Sequence, residues 1–157
     1  AFVPQCMGLV CGGYLNELLL RLTAREDPHE RLFDYYTQTL AELAAAADYA
    51  AVLRRFERRL MEELGYALML EHEAGGARAI QPDADYRYLP ERGPVPASQA
   101  AEGVQLRGKT LLDMARDDYS DVITQQQGKQ LMRALIGHHL DGGALHTRQL
   151  LRDLQDL

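Results

Sequence analysis

The chain has 157 residues, 46% of them apolar and 25% charged, a balance that supports one globular domain or one domain with an appendage. Its net charge of −6 argues against stand-alone binding to phosphate backbones, so any affinity for nucleic acid must come from local basic patches. No run of about 18 apolar residues occurs, so no membrane span is expected.

Ala1 to Pro4 lack the basic start and small-residue cleavage site of a secretory signal, and position 1 is not Met. The expectation is a fragment of a longer protein. The two cysteines, Cys6 and Cys11, would lie about 140° apart on one helix, too far round to chelate a metal together or to form a bridge. A reducing, cytoplasmic setting is expected.

In chain order, Tyr14, Leu15, Leu18, Leu19 and Leu22 recur at helical spacing and predict a first helix over about 7–23. A second is predicted over about 29–46, striped by Leu32, Phe33, Tyr36, Leu40 and Leu43. Asp48 is placed to cap a third over 49–64, with Gly65 as its stop. On that helix Phe56, Leu60 and Leu64 fall within about 60° of Leu53, and the four form the buried face. Arg55, Arg58 and Glu62 face solvent, with Arg54 and Met61 together on the flank. From about 71 to 103, Gly75, Gly76, Pro82, Pro90, Gly93, Pro94 and Pro96 forbid a long helix. Tyr86-Arg87-Tyr88-Leu89 is a strand candidate within this stretch, and Pro90 to Pro94 a turn, so a hairpin or ordered loop is expected. A polar link leads to a short helix near 109–115. A longer one, over about 121–140, carries Leu131, Leu135, Ile136 and Leu140, and a last one is capped by Thr147. The expected fold is mostly α: a compact domain of about six helices around one small hairpin or loop.

Four arginines crowd the third helix. Arg58 with Glu62 and Arg59 with Glu63 are spaced as i,i+4 ion pairs and read as a solvated face. Arg54 and Arg55 have no acid four residues on, and Arg54 borders the apolar stripe. A guanidinium beside apolar surface suits a ligand that carries both a carboxylate and an aromatic group. Two further basic pairs, Lys129 with Arg133 and Arg148 with Arg152, are each one helical turn apart and are candidate DNA contacts.

Metal and catalytic readings are poorly supported. Glu71-His72-Glu73 with His138 matches no H-x-x-x-H pair, and the adjacent His138 and His139 point to different faces of a helix. Gly103 and Gly108-Lys109-Thr110 have the G-x-x-x-x-G-K-[ST] spacing of a phosphate loop, a short pattern that is weak support for one by itself. Tyr86 and Tyr88 share one face of their strand; base stacking is one use of such a pair, packing the commoner one.

Several segments together resemble the RecO family. They are Tyr14-Leu15-Asn16-Glu17-Leu18-Leu19, Leu53-Arg54-Arg55-Phe56-Glu57, Leu64-Gly65-Tyr66, Tyr86-Arg87-Tyr88, and the run from Gly142 to Leu151. The resemblance implies a DNA repair and recombination mediator, not an enzyme. An N-terminal OB-fold would precede Ala1 and be absent from this chain. The implied partners are RecR and in some bacteria RecF, single- and double-stranded DNA, and single-stranded-DNA-binding protein (SSB), which the family helps RecA to replace while also annealing strands. A docking site for the acidic, Phe-ending SSB tail is implied on the helical domain. Here Arg54, Arg55, Arg58 and Met61 are its candidate residues, with Lys129, Arg133, Arg148 and Arg152 giving weak DNA contact. Some members hold zinc through two cysteine pairs in the hairpin region; with no cysteine after Cys11, no metal or other cofactor is carried over. Two rivals remain: a stand-alone helical adaptor unrelated to DNA, and a metal-dependent hydrolase using Glu71, His72 and His138.

Overall fold

The computed structural model describes residues 30–45 and 48–139, together with the isolated Gly13. The predicted first helix, the last helix and the candidates Arg148 and Arg152 lie outside the described residues. In chain order the elements are α1 (Glu30–Ala45), α2 (Tyr49–Glu63), β1 (Asp85–Leu89), β2 (Gly93–Pro96), a 3-10 turn (Ala97–Gln99), β3 (Val104–Arg107), α3 (Gly108–Ala115) and α4 (Val122–His139).

The mostly-α reading of about six helices with a hairpin or long loop is therefore corrected. Among the described residues there are four α-helices and a three-stranded antiparallel sheet in the order β2-β1-β3. The strand missed in the sequence is β3, only four residues long. Of these only Leu106 is buried, too short a run for its alternation to register. Its state is set by pairing: Tyr86 faces Leu106, and Tyr88 faces Val104.

Local chemistry explains the helices that position the rest. The Asp48 carboxylate accepts from Ala51 N–H at 3.2 Å and opens α2. At the other end Gly65 takes φ +90, Tyr66 N–H bonds Met61 O at 2.7 Å, and Gly65 N–H bonds Glu62 O. This is a Schellman closure, for which glycine's freedom at positive φ is suited. Asp121 opens α4 in the same manner as Asp48, accepting from Ile123 and Thr124 N–H. Those bonds hold its carboxyl below the ordinary pKa.

Leu53, Phe56 and Leu60 of α2 join Tyr86, Tyr88 and Leu106 of the sheet in one core. Leu111 and Met114 of α3 and Leu131, Met132, Leu135 and Ile136 of α4 complete it. Tyr86 and Tyr88 pack inward, as the sequence favoured, and each hydroxyl is used: it accepts from Gln81 N–H and Met69 N–H respectively, both at 2.9 Å. Burial pushes the Tyr88 phenol above its ordinary pKa, opposed by the Met69 bond. No helix among the described residues is long and apolar enough to cross a membrane.

The junction of β3, α3 and α4 is polar and buried. Asp113 is 1% exposed, and its carboxylate accepts from Lys109 Nζ, Arg116 Nη2 and Thr124 Oγ1, each at 2.7 Å. Burial alone would raise its pKa, but the three donors outweigh it and hold the carboxyl below the ordinary value. Lys109 also approaches Asp121 at 3.4 Å, and Arg107 reaches the same Asp121 at 3.3 Å. Gln127 of α4 accepts from both Arg107 N–H and the Thr110 hydroxyl.

Gly108 begins α3 where the chain passes under residues 81–84. A Cβ there would lie 1.8 Å from Gln81 O. The Gly108 and Lys109 amides bond Ala84 O and Pro82 O. The Gly-Lys-Thr step is thus a strand-to-helix crossing: residues 104–107, where a phosphate loop would curl, are the extended strand β3, and the first amides of α3 are already engaged.

Two outcomes follow from this junction. Asp113→Asn should lower stability at pH 7 by about 1.5–3 kcal/mol, the range for hydrogen bonds to a charged group. Because the native carboxyl is depressed, its contribution is present above the unfolded pKa of about 4 and is lost as pH falls through the lower folded value. Urea unfolding at a series of pH values should show wild type and variant converging in acid, and a constant gap would contradict the linkage. Gly108→Ala should cost about 3 kcal/mol, because the new methyl forces backbone apart; a midpoint unchanged in urea would contradict this.

Candidate functional site

The four residues singled out on α2 divide into two kinds. Arg54 and Met61 are buried, at 6% and 2% exposure, which corrects the flank position inferred from the helical wheel. The wheel fixed their angle to the apolar stripe, but neighbouring elements wrap α2 more widely than one stripe requires. Arg54 Nε lies 3.1 Å from Glu57 Oε1, an acid three residues on rather than four. The contact is an ion pair by distance, but its angle does not make it a hydrogen bond, and both atoms are buried. Beside them sits Tyr119, 5% exposed, whose hydroxyl has no hydrogen-bond partner among the described residues. Burial first, then Asp117 and Glu57, push this phenol well above its ordinary pKa, with Arg54 and Arg58 opposing.

Arg55 and Arg58 keep partly exposed side chains. Arg55 reaches Glu42 of α1 at 3.7 Å. Arg58 makes no i,i+4 pair with Glu62 among the described ion pairs, contrary to the sequence reading. Its Nη1 turns across the fold to Met114 O at 2.8 Å, Ala115 O at 3.4 Å and Asp117 Oδ1 at 3.2 Å. A guanidinium there satisfies the carbonyl end of α3, where cations are favoured. Arg59 stacks over the Tyr35 ring, 5.3 Å from its centroid. The helix thus spends its cations on internal partners that sequence spacing could not show.

Arg133 is exposed and Lys129 half-buried. The third set of predicted residues, Glu71 and His72 with His138, takes a different form. His72 stands in an isolated bridge with Ala79. His138 instead directs Nε2 at Glu91 Oε1, 3.3 Å away, in the turn between β1 and β2. His138 and His139 do not diverge: their ring centroids are 5.0 Å apart, edge to face, and His139 stacks on Tyr66 at 4.0 Å. Glu91 carried no signal in the sequence, being one charged residue in a turn.

Comparison with known proteins agrees with the resemblance drawn from the segments. The family model described as "Recombination protein O C terminal" matches residues 8–149. The DNA repair protein RecO of Nitrosospira multiformis is 49% identical over 155 residues, which cover 98% of this chain and 64% of that protein. The corresponding protein of Thiobacillus denitrificans is 50% identical over 98% of this chain and 63% of its own length. That of Ralstonia nicotianae is 50% identical over 96% and 56%. The chain thus spans somewhat under two thirds of these relatives, and the extent and level of the match establish that it belongs to the recombination protein O family, within that family's C-terminal region.

Proposed function

We propose that this chain is the partner-binding portion of a DNA repair and recombination mediator, and not an enzyme. The observation that carries the reading is the family match over residues 8–149, supported by relatives named DNA repair protein RecO at about half identity. On this reading the protein is cytoplasmic. An N-terminal OB-fold supplies most of the DNA affinity, while this region docks the SSB tail and acts with RecR, and with RecF where present, to load RecA and anneal strands.

The docking proposal rests on the arginine-rich face of α2. Burial changes what each candidate can contribute. Arg54 and Met61 support the surface from beneath, and Arg55 and Arg58 offer guanidinium to an acidic peptide. The Arg55–Glu42 contact is long and partly exposed, and such pairs contribute little, so an incoming carboxylate can take Glu42's place. For DNA, Lys129 and Arg133, with Arg148 and Arg152, are the proposed contacts, kept weak by the net charge of −6.

Titration of a fluorescent, acidic, Phe-ending peptide tests the docking face. Arg55→Ala should weaken binding by about 0.5–1.5 kcal/mol with thermal stability nearly unchanged. Arg54→Ala should weaken it as well, but with about 1–3 kcal/mol of lost stability, since Glu57 then loses a partner in the interior. Equal affinity for wild type, Arg54→Ala, Arg55→Ala and Arg58→Ala would place the tail elsewhere.

Binding of this chain to single-stranded DNA should fall steeply with salt and be weak at ~150 mM, where exposed charge is well screened. Nanomolar affinity at that ionic strength would overturn the assignment of DNA binding to a preceding domain.

A further inference from the structure

Glu91, His138 and His139 come from two elements separated by nearly fifty residues, yet each offers one ligand atom within 4.8 Å of the others. We propose that these three side chains form a binding site for a zinc-like divalent cation, which ties the β1–β2 turn to the last turn of α4.

The donor set is two imidazoles and one carboxylate, a combination suited to borderline cations and able to leave a fourth position open. Tetrahedral bonds of about 2.0–2.1 Å place ligand atoms about 3.3–3.4 Å apart. The His138 Nε2 to Glu91 Oε1 separation, 3.3 Å, already has this length. His139 completes the set by moving inward by no more than roughly an ångström and a half, judged against the same bond lengths. The motion is available because Glu91 and His138 are exposed and His139 is half-buried.

Two features limit how the groups can spread. His139 is held in a ring stack with Tyr66, the residue that follows the Gly65 closure of α2. Glu91 sits at φ +71 inside the tight turn closed by the bond from Arg92 N–H to Leu89 O. The carboxylate is therefore presented by a short, defined turn rather than by a long loop. A bound cation would also hold the His138–Glu91 pair together whichever tautomer His138 adopts, since a metal needs only a ring nitrogen lone pair.

Three consequences separate the site from a plain Glu–His contact. Zinc should bind one per chain, it should raise the unfolding temperature by mass action, and both effects should need Glu91 as well as the histidines. The experiment uses the full chain with Cys6→Ser and Cys11→Ser, so that thiols take no zinc. Zn2+ alone is titrated against a chromophoric chelator, and unfolding is followed with and without the metal. Glu91→Gln and His138→Ala should each weaken zinc binding about tenfold or more and abolish the thermal shift. His72→Ala should bind as the parent does. Unfolding in the presence of chelator should match across the set, showing that the variants are folded. Saturation absent below about 100 μM zinc in the parent, or affinity retained by either Glu91→Gln or His138→Ala, overturns the proposal.

Discussion

A carboxylate removed from water must be surrounded by donors or it will not stay charged, and Asp113 is this protein's instance of that constraint. Its three donors come from one turn before it, one turn after it and the facing helix. Lys109 and Arg116 make α3 internally consistent, and Thr124 fixes α4 across it. The alternation continues outward from Lys109 to Asp121 and from Asp121 to Arg107, so that strand, short helix and long helix share one line of charge. An eight-residue helix is too short to be stable by itself, and here it is held by this network and by Leu111 and Met114 beneath it.

The same economy governs α2. Its arginines resemble a binding patch because they are numerous, but most have work inside the fold. Arg58 reaches the carbonyls that end α3, Arg54 lies against Glu57, and Arg59 covers Tyr35. If a partner docks here, recognition and stability are coupled through shared residues, and Arg55 is the position at which they separate best. Arg54, Glu57 and Tyr119 bring charge and a phenol into the interior beside the middle of α2, where such groups are costlier to bury than apolar side chains.

The sheet serves as a platform. β1 is central and sends Tyr86 and Tyr88 into the core, where their hydroxyls bind the backbone of the segment preceding it. β2 is an edge built from Gly93, Pro94, Val95 and Pro96, and its prolines cannot donate to a further strand, which blunts edge-to-edge association. The turn joining these two strands is the part that meets the end of α4, through Glu91 and His138. A feature at the rim of the sheet thus bears on a helix distant in sequence.

What could be read directly from the chain was local or periodic. Asp48 and Gly65 bounded α2 because a cap and a left-handed stop depend on neighbours a few residues away. The stripe of Leu53, Phe56 and Leu60 predicted a buried face because 3.6-residue periodicity is intrinsic to the helix. The paired tyrosines of β1 predicted packing for the same kind of reason, with period two. The family was legible as well, since short segments keep their order along the chain. What only the tertiary structure decided was every partner chosen at long range. β3 exists because Tyr86 and Tyr88 offer it a register, not because Val-Gln-Leu-Arg prefers to be extended. Arg58 ignores the acid one turn away because the open carbonyls of α3 are brought to it, and Arg54 is buried because neighbouring elements close over the flank of α2. Glu91 acquires meaning only beside His138. Spacing along a helix gives the angle at which a side chain leaves it, but the group waiting at that angle is set by how the elements pack.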